Sequence, residues 1–312
     1  MVTGASGFIG SRLVTRLVDL EGIASVTSLL RSQERFTGST GLPTNQKISN
    51  VTGNLLEKDS LKFQYDFDAV YHLAALTPLE RSKKTLRKVN YDGTMNLFNS
   101  LKGKTKSFIY VSGTAVFSRN ANADSKGIEM IDENSPKNPD TEFVKIRLEA
   151  EQSLRDGCED NGIDFAVVYL PDIVYGNGGS FRSMFLQKIR TGRFRVPGTG
   201  DYVKPLIHLD DAVGFLIAIL AKNAVRGSYI ATDSVPVAFG EFVNFIADQL
   251  GVRHPPTVPA FLAEIAVGKD LIKMLTRSTA KISNEKMRRL YELRYPSYRE
   301  GIVDVVRDFI SQ

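Results

Sequence analysis

What the sequence lacks narrows what the chain can do. It holds one cysteine, Cys158, among 312 residues, so no internal disulfide forms and a reducing compartment is expected. Its longest apolar run, 212–221, is too short to cross a bilayer, and no membrane span is expected. A glycine-rich stretch at the very start leaves no room for a cleavable leader, which points to the cytoplasm. There are no repeats, no low-complexity tracts and no metal-ligand spacing. The net charge of +5 is modest, but it is concentrated. Between 265 and 290 lie Lys269, Lys273, Arg277, Lys281, Lys286, Arg288 and Arg289 against Asp270 and Glu285. A solvated helical face and the attraction of an anionic small-molecule substrate both explain that cluster. No nucleic-acid module surrounds it, so nucleic acid is not an expected partner. With 42% apolar and 24% charged residues, the composition is that of a globular protein of one large α/β unit or two lobes.

What is present begins with Thr3-Gly4-Ala5-Ser6-Gly7-Phe8-Ile9-Gly10. The spacing predicts a strand, a tight turn and a helix that runs over 8–20. Gly4 lets the backbone turn, Gly7 lets a phosphate approach the main chain, and Gly10 lets the helix pack on the strand. Ser6, Phe8 and Ile9 complete the turn and the helix opening, whose free N–H groups suit a dinucleotide pyrophosphate. A glycine-rich turn with no ligand is the plainer alternative. Only Met1 and Val2 precede the turn, so the first strand is expected to be shorter than the usual ~5–6 residues, as it would be if upstream residues belonged to it.

A second strand covers 25–30. Dinucleotide-binding folds place an acidic residue near its end to accept from the ribose 2′-OH. Here Leu30 is followed by Arg31, with Arg35 close behind, which favours a 2′-phosphate and therefore NADP, with NAD the other possibility. Arg31 as a solvated loop residue is the competing reading. The run 68–73 reads as a buried strand, and Leu73, Ala74 and Ala75 at its end let a ring or ribose lie against the main chain. His72 is expected to be a hydrogen-bonded structural residue rather than an acid/base group. A long helix over 79–101, strands over 107–112 and 162–170, and a helix capped by Asp210 and Asp211 complete the pattern. Apolar strands alternating with helices predict an α/β fold, a doubly wound parallel sheet of the Rossmann kind with a smaller C-terminal substrate lobe. The expected division is 1–172 with 206–233, and 173–205 with 234–312. Phe181, Met184, Phe185 and Phe194 line an apolar pocket or pack a core.

With these residues in view, the chain resembles the extended short-chain dehydrogenase/reductase family of nucleotide-sugar epimerases, dehydratases and reductases. The resemblance rests on 3–10, Gly53-Asn54-Leu55, His72-Leu73-Ala74-Ala75, Asn90-Tyr91-Asp92-Gly93-Thr94, Tyr110-Val111-Ser112, Val174-Tyr175-Gly176 and Ile207-His208-Leu209-Asp210-Asp211. It implies adenine contact at Asn54 and Leu55, further cofactor contacts at Asn90, Val111, Pro171 and Ile173, and a mainly structural His208. It also implies a homodimer through helices near 79–101 and 141–156.

The catalytic positions depart from the family pattern. Its tyrosine and lysine, four apart after a proline-rich lead-in, fall on Phe143 and Arg147, and its serine or threonine falls on Gly113, between Ser112 and Thr114. Phenylalanine has no proton to give. Arginine can hold ribose hydroxyls but is a poor proton carrier. Two expectations stand side by side: an NAD(P)-dependent oxidoreductase, epimerase or dehydratase whose acid/base group is Thr114, Ser112, Tyr175, a water or the substrate, or a cofactor-binding sensor or interaction subunit without turnover.

Overall fold

The computed structural model describes residues 1–31, 45–80, 82–117, 130–276 and 281–312. The chain divides into two compact units. One comprises Met1–Ser112, Glu142–Tyr169 and Val213–Tyr229; the other comprises Gly113–Thr141, Leu170–Ala212 and Ile230–Gln312.

The first unit is built on a seven-stranded sheet. Its strands are β1 (Val2–Thr3), β2 (Val26–Leu30), β3 (Ile48–Thr52), β4 (Phe67–His72), β5 (Thr105–Gly113), β6 (Asp164–Leu170) and the strand Gly227–Ile230. They run in the order Gly227–Ile230, β6, β5, β4, β1, β2, β3. The pairings from β3 across to β5 are parallel. β1 is two residues long, yet both are in register on either side, Val2 opposite Ser28 and Tyr71, Thr3 opposite Leu29 and His72. In β5 and β6 nearly every residue is buried, as expected of strands covered on both faces.

Helix α1 (Phe8–Val18) buries Gly10, Leu13, Val14, Leu17 and Val18 and stops two residues before the expected end. The helix expected to start at 79 starts later, as α2 (Lys83–Arg87), because the Ser82 hydroxyl caps it by accepting from the Thr85 amide at 3.2 Å. A π-turn, Lys88–Gly93, separates α2 from α3 (Thr94–Leu101) and turns Asn90 fully inward. Helix α4 (Glu142–Asp160) presents Val144, Arg147, Glu151 and Leu154 to the interior at helical spacing. Buried Glu151 accepts from the Tyr169 hydroxyl at 2.7 Å.

Helix α5 (Leu209–Ala221), whose first turn belongs to the second unit, is already helical at Leu209, so Asp210 and Asp211 lie in that turn and do not cap it. Asp211 serves as an anchor instead: its carboxylate accepts from the Tyr291 hydroxyl (3.0 Å) and from the Arg294 (2.8 Å) and Tyr295 (2.9 Å) amides. Burial raises its pKa although these donors oppose the shift. Phe181 stacks on Phe185 at 4.9 Å, and Phe185 meets Phe194, Phe239 and Phe242 on and near α6 (Phe239–Gln249). These aromatics pack a core. Helices α7 (Ala260–Val267) and α8 (Lys269–Thr276) follow as a hairpin turned at Gly268, and α9 (Tyr298–Ile310) closes the chain. Gly301 of α9 leaves room for the Tyr175 ring, whose hydroxyl lies 2.6 Å from where a Cβ would stand.

The contact between α1 and the first turn is the tightest glycine contact of the first unit. A Cβ on Gly10 would stand 2.1 Å from the Gly4 carbonyl oxygen. Helix propensity alone makes Gly10→Ala stabilising by ~1 kcal/mol; the clash reverses the sign to a loss of about 1–3 kcal/mol or more. Urea denaturation decides between them, and a variant more stable than wild type refutes the packing assignment.

Candidate functional site

The order β4-β1-β2 puts a topological switch point beside β1, where open α/β sheets bind ligands at their strand ends. Gly4, at φ +66°, turns the chain there, and any side chain on it would run into the backbone of Leu73 and Ala74. The Gly7 amide closes the turn by donating to the Gly4 carbonyl at 2.8 Å. Gly7 is the N-cap of α1 and has no capping side chain, and the first turn carries no acidic residue. The amides of Phe8, Ile9 and Gly10 are therefore the donors a helix N-terminus leaves open to an anion. Ser6 and Gly7 are exposed beside them. This chemistry fits a dinucleotide pyrophosphate.

Behind the turn runs a chain of buried hydrogen bonds whose directions can be worked out. The Ala74 amide donates to Thr3 Oγ1 (3.2 Å), Thr3 Oγ1 meets His72 Nδ1 (2.7 Å), His72 Nε2 meets Thr94 Oγ1 (2.9 Å), and Thr94 Oγ1 donates to the Asn90 carbonyl (3.0 Å). Because Thr94 spends its proton on Asn90, it accepts from His72, which fixes the Nε2–H tautomer. Nδ1 then accepts from Thr3. Every member is satisfied only when His72 is neutral, and burial, with Arg147 adding to it, lowers its pKa to about 3. His72 is structural, as its place at the strand end suggested.

Asn90 and Asn54 are also occupied. The Asn90 side chain accepts from the Leu76 amide (2.8 Å) and donates to the Leu76 carbonyl (3.0 Å), holding the segment after Ala74 and Ala75 in place. Asn54 accepts from the Leu56 amide (3.1 Å) and donates to Glu57 (2.7 Å), while the Leu55 carbonyl accepts from Asn96 (2.9 Å). Arg31 is exposed immediately after β2 and has no ion-pair partner among the described residues; Arg35 lies outside the described residues.

Arg147 is turned inward. Its guanidinium donates to the Val111 carbonyl and lies 4.5 Å from the centre of the Tyr110 ring, whose other neighbour is the His72 ring at 5.9 Å. Burial pushes the Tyr110 hydroxyl up to about 12, so that phenol holds its proton at neutral pH. Phe143, one turn before Arg147 on α4, is half-buried. The hydroxyls of Ser112 and Thr114, on either side of Gly113, are buried and have no hydrogen-bond partner among the described residues. Such orphaned groups call for an explanation, a ligand among them.

In the second unit Pro171 and Ile173 are buried. Between them Asp172 pairs with Lys204 at 3.3 Å, a fully buried lysine that also donates to the Met274 carbonyl at 2.6 Å. Nothing in its sequence setting, between two loop-like stretches, marked Lys204 as interior. The Tyr175 phenol is sealed in, and burial first, then Asp233, drives its pKa far up. It is a poor proton carrier. His208 packs against Tyr175 and Tyr295 and accepts from the Asp210 amide at 3.1 Å.

The family model for the NAD dependent epimerase/dehydratase family matches residues 1–230. The chain belongs to that family. An uncharacterised protein of Saccharomyces cerevisiae is 26% identical over 309 residues, covering 98% of this chain and 97% of its own. Among solved structures, a dTDP-glucose 4,6-dehydratase from Streptomyces venezuelae with NAD bound superposes with a TM-score of 0.81 at 19% identity, covering 100% of this chain and 96% of that one. A human epimerase family protein with NADPH gives 0.78 at 22% identity, covering 98% of each. At these identities the structures bear on the fold, which they share. The family is NAD(P)-dependent, and these neighbours hold one or the other nucleotide. No helix among the described residues is long and apolar enough to cross a membrane.

The neutral His72 has a measurable consequence. Its folded pKa of about 3 lies below the ordinary histidine value of 6.5, so between those values the unfolded chain binds the extra proton. Its contribution to stability is complete above the unfolded value and is lost as pH falls toward the folded one. His72→Phe should lower stability at pH ~7.5 by about 1–3 kcal/mol, because two threonines lose their partner. It should also flatten the decline between pH ~6.5 and ~3. Denaturation curves across that range check both, and an unchanged slope contradicts the assignment.

Proposed function

We propose that this member of the family is an NADP-using oxidoreductase, epimerase or dehydratase acting on a nucleotide sugar or a small carbonyl or hydroxyl compound, with hydroxyls in place of the usual phenol. The observation that carries this is the pair of buried hydroxyls of Ser112 and Thr114, which have no partner among the described residues. The likeness to a dTDP-glucose 4,6-dehydratase supports a nucleotide sugar, and the cations of 265–290 suit its negative charge. A homodimer in the cytoplasm completes the reading.

The bound nicotinamide would supply a hydride acceptor or donor. Gly4, Gly7 and the amides of Phe8 to Gly10 would hold the pyrophosphate, Leu73 to Ala75 and Val111 would flank the ring and ribose, and Arg31 would meet a 2′-phosphate. Asn54 and Asn90 act through the backbone they hold. The substrate oxygen would hydrogen-bond to Thr114 or Ser112, and its proton would pass through that hydroxyl to a water. Arg147 is a positioning residue here: it fixes the Val111 carbonyl and carries no proton. Phe143 and Gly113 favour a second reading, a protein that binds the cofactor without turnover.

Calorimetric titration should give tighter binding of NADPH than of NADH, and Arg31→Asp should erase or reverse the preference; equal wild-type affinities remove Arg31 from the site. On a panel of nucleotide sugars and small ketones, Thr114→Ala or Ser112→Ala should lower turnover about 10²–10⁴-fold without weakening cofactor binding. Phe143→Tyr combined with Arg147→Lys should raise it, and more than Phe143→Tyr alone. Cofactor binding with no turnover in wild type or the restored variant favours the second reading.

A further inference from the structure

Helix α7 stands apart from every other helix of comparable length in the second unit. Its sequence, Ala-Phe-Leu-Ala-Glu-Ile-Ala-Val, is almost wholly apolar, yet none of its residues is buried. Phe261 is 61% exposed, Leu262 48% and Ile265 72%, and their i, i+1, i+4 spacing puts them on one face. The hairpin is rooted through its other arm. α8 buries Ile272, Lys273 bonds to the Asp140 carbonyl (3.1 Å) and pairs with its carboxylate (3.3 Å), and the Met274 carbonyl accepts from Lys204. A helix held in place by its neighbour, with three large apolar side chains in water, is a surface that something covers.

Size and charge select what covers it. The helix is about 12 Å long at 1.5 Å per residue. One such face falls well short of the ~800 Å² per partner that a stable protein interface buries. Shallow insertion into a bilayer surface asks for less: a short apolar face beside cations that meet anionic headgroups. The stretch 251–290 carries eight Lys and Arg against three Asp and Glu. Arg253, Lys269, Lys281, Arg288 and Arg289 are exposed. We infer that α7 is a peripheral docking element by which this chain lies on, without spanning, an anionic lipid surface.

The test is co-sedimentation of the full chain with vesicles of phosphatidylcholine mixed with phosphatidylglycerol, against phosphatidylcholine alone, at low and high salt. Wild type should bind the mixed vesicles, more weakly in high salt and on the neutral lipid. Phe261→Asp with Ile265→Asp should reduce binding by at least about tenfold while the melting temperature stays that of wild type, since neither side chain is buried. No binding by wild type overturns the inference, as does equal binding by the variant. A wild-type dimer that the variant turns into monomer also overturns it, because a second copy then covers the face.

Discussion

The first unit depends on one close approach: the Gly4 turn lies against Gly10 on one side and the backbone of Leu73 and Ala74 on the other. A two-residue β1 supplies little ladder of its own. Its position comes from parallel pairing on both flanks and from this packing, which brings the start of α1 and the end of β4 together without side chains between them. The open amides of α1 and the strand end that would receive a ribose are thus set by the same contact. Close backbone approach and the placement of the open amides are one structural fact here, and a methyl group at Gly4 or Gly10 would disturb both.

The polar chain behind the turn ties β1 and β4 to the start of α3 through a neutral imidazole. Thr3, His72, Thr94 and Asn90 pass donors in one direction, and the arrangement is complete only with a neutral imidazole. The layered His72, Tyr110 and Arg147 then stack in from β4, β5 and α4. Arg147 keeps a permanent charge on a carbonyl of β5, and Tyr110 keeps its proton. None of the three moves a proton near neutral pH. Under the proposed function, proton transfer would fall instead to the hydroxyls of Ser112 and Thr114, on either side of Gly113.

Much of this was legible in the sequence. The glycine spacing and the strand-by-strand apolar runs have local causes, so the parallel sheet, the turn and the start of α1 could be read directly. The structural role of His72 was legible too, from its place at the end of a buried strand. Less legible were features settled by contacts distant in sequence. Asn90 turns inward because a π-turn interrupts an otherwise regular helical pattern. Lys204 is buried because Asp172 and the end of α8 converge on its amine. Asp210 and Asp211 looked like caps, and only the position of residues 291–295 shows why Asp211 is inside. The exposure of α7 was hidden for the opposite reason, since its composition reads as a core helix.

The central claim is that the backbone of the first turn and the opening of α1 hold the dinucleotide. Amide hydrogen exchange with and without NADPH tests it most directly. The prediction is slowed exchange in the segment that includes Gly7 to Gly10 and in the segment around Ala74, with Gly22 and its neighbours unaffected. NADPH binding that leaves the exchange of both segments unchanged would contradict it.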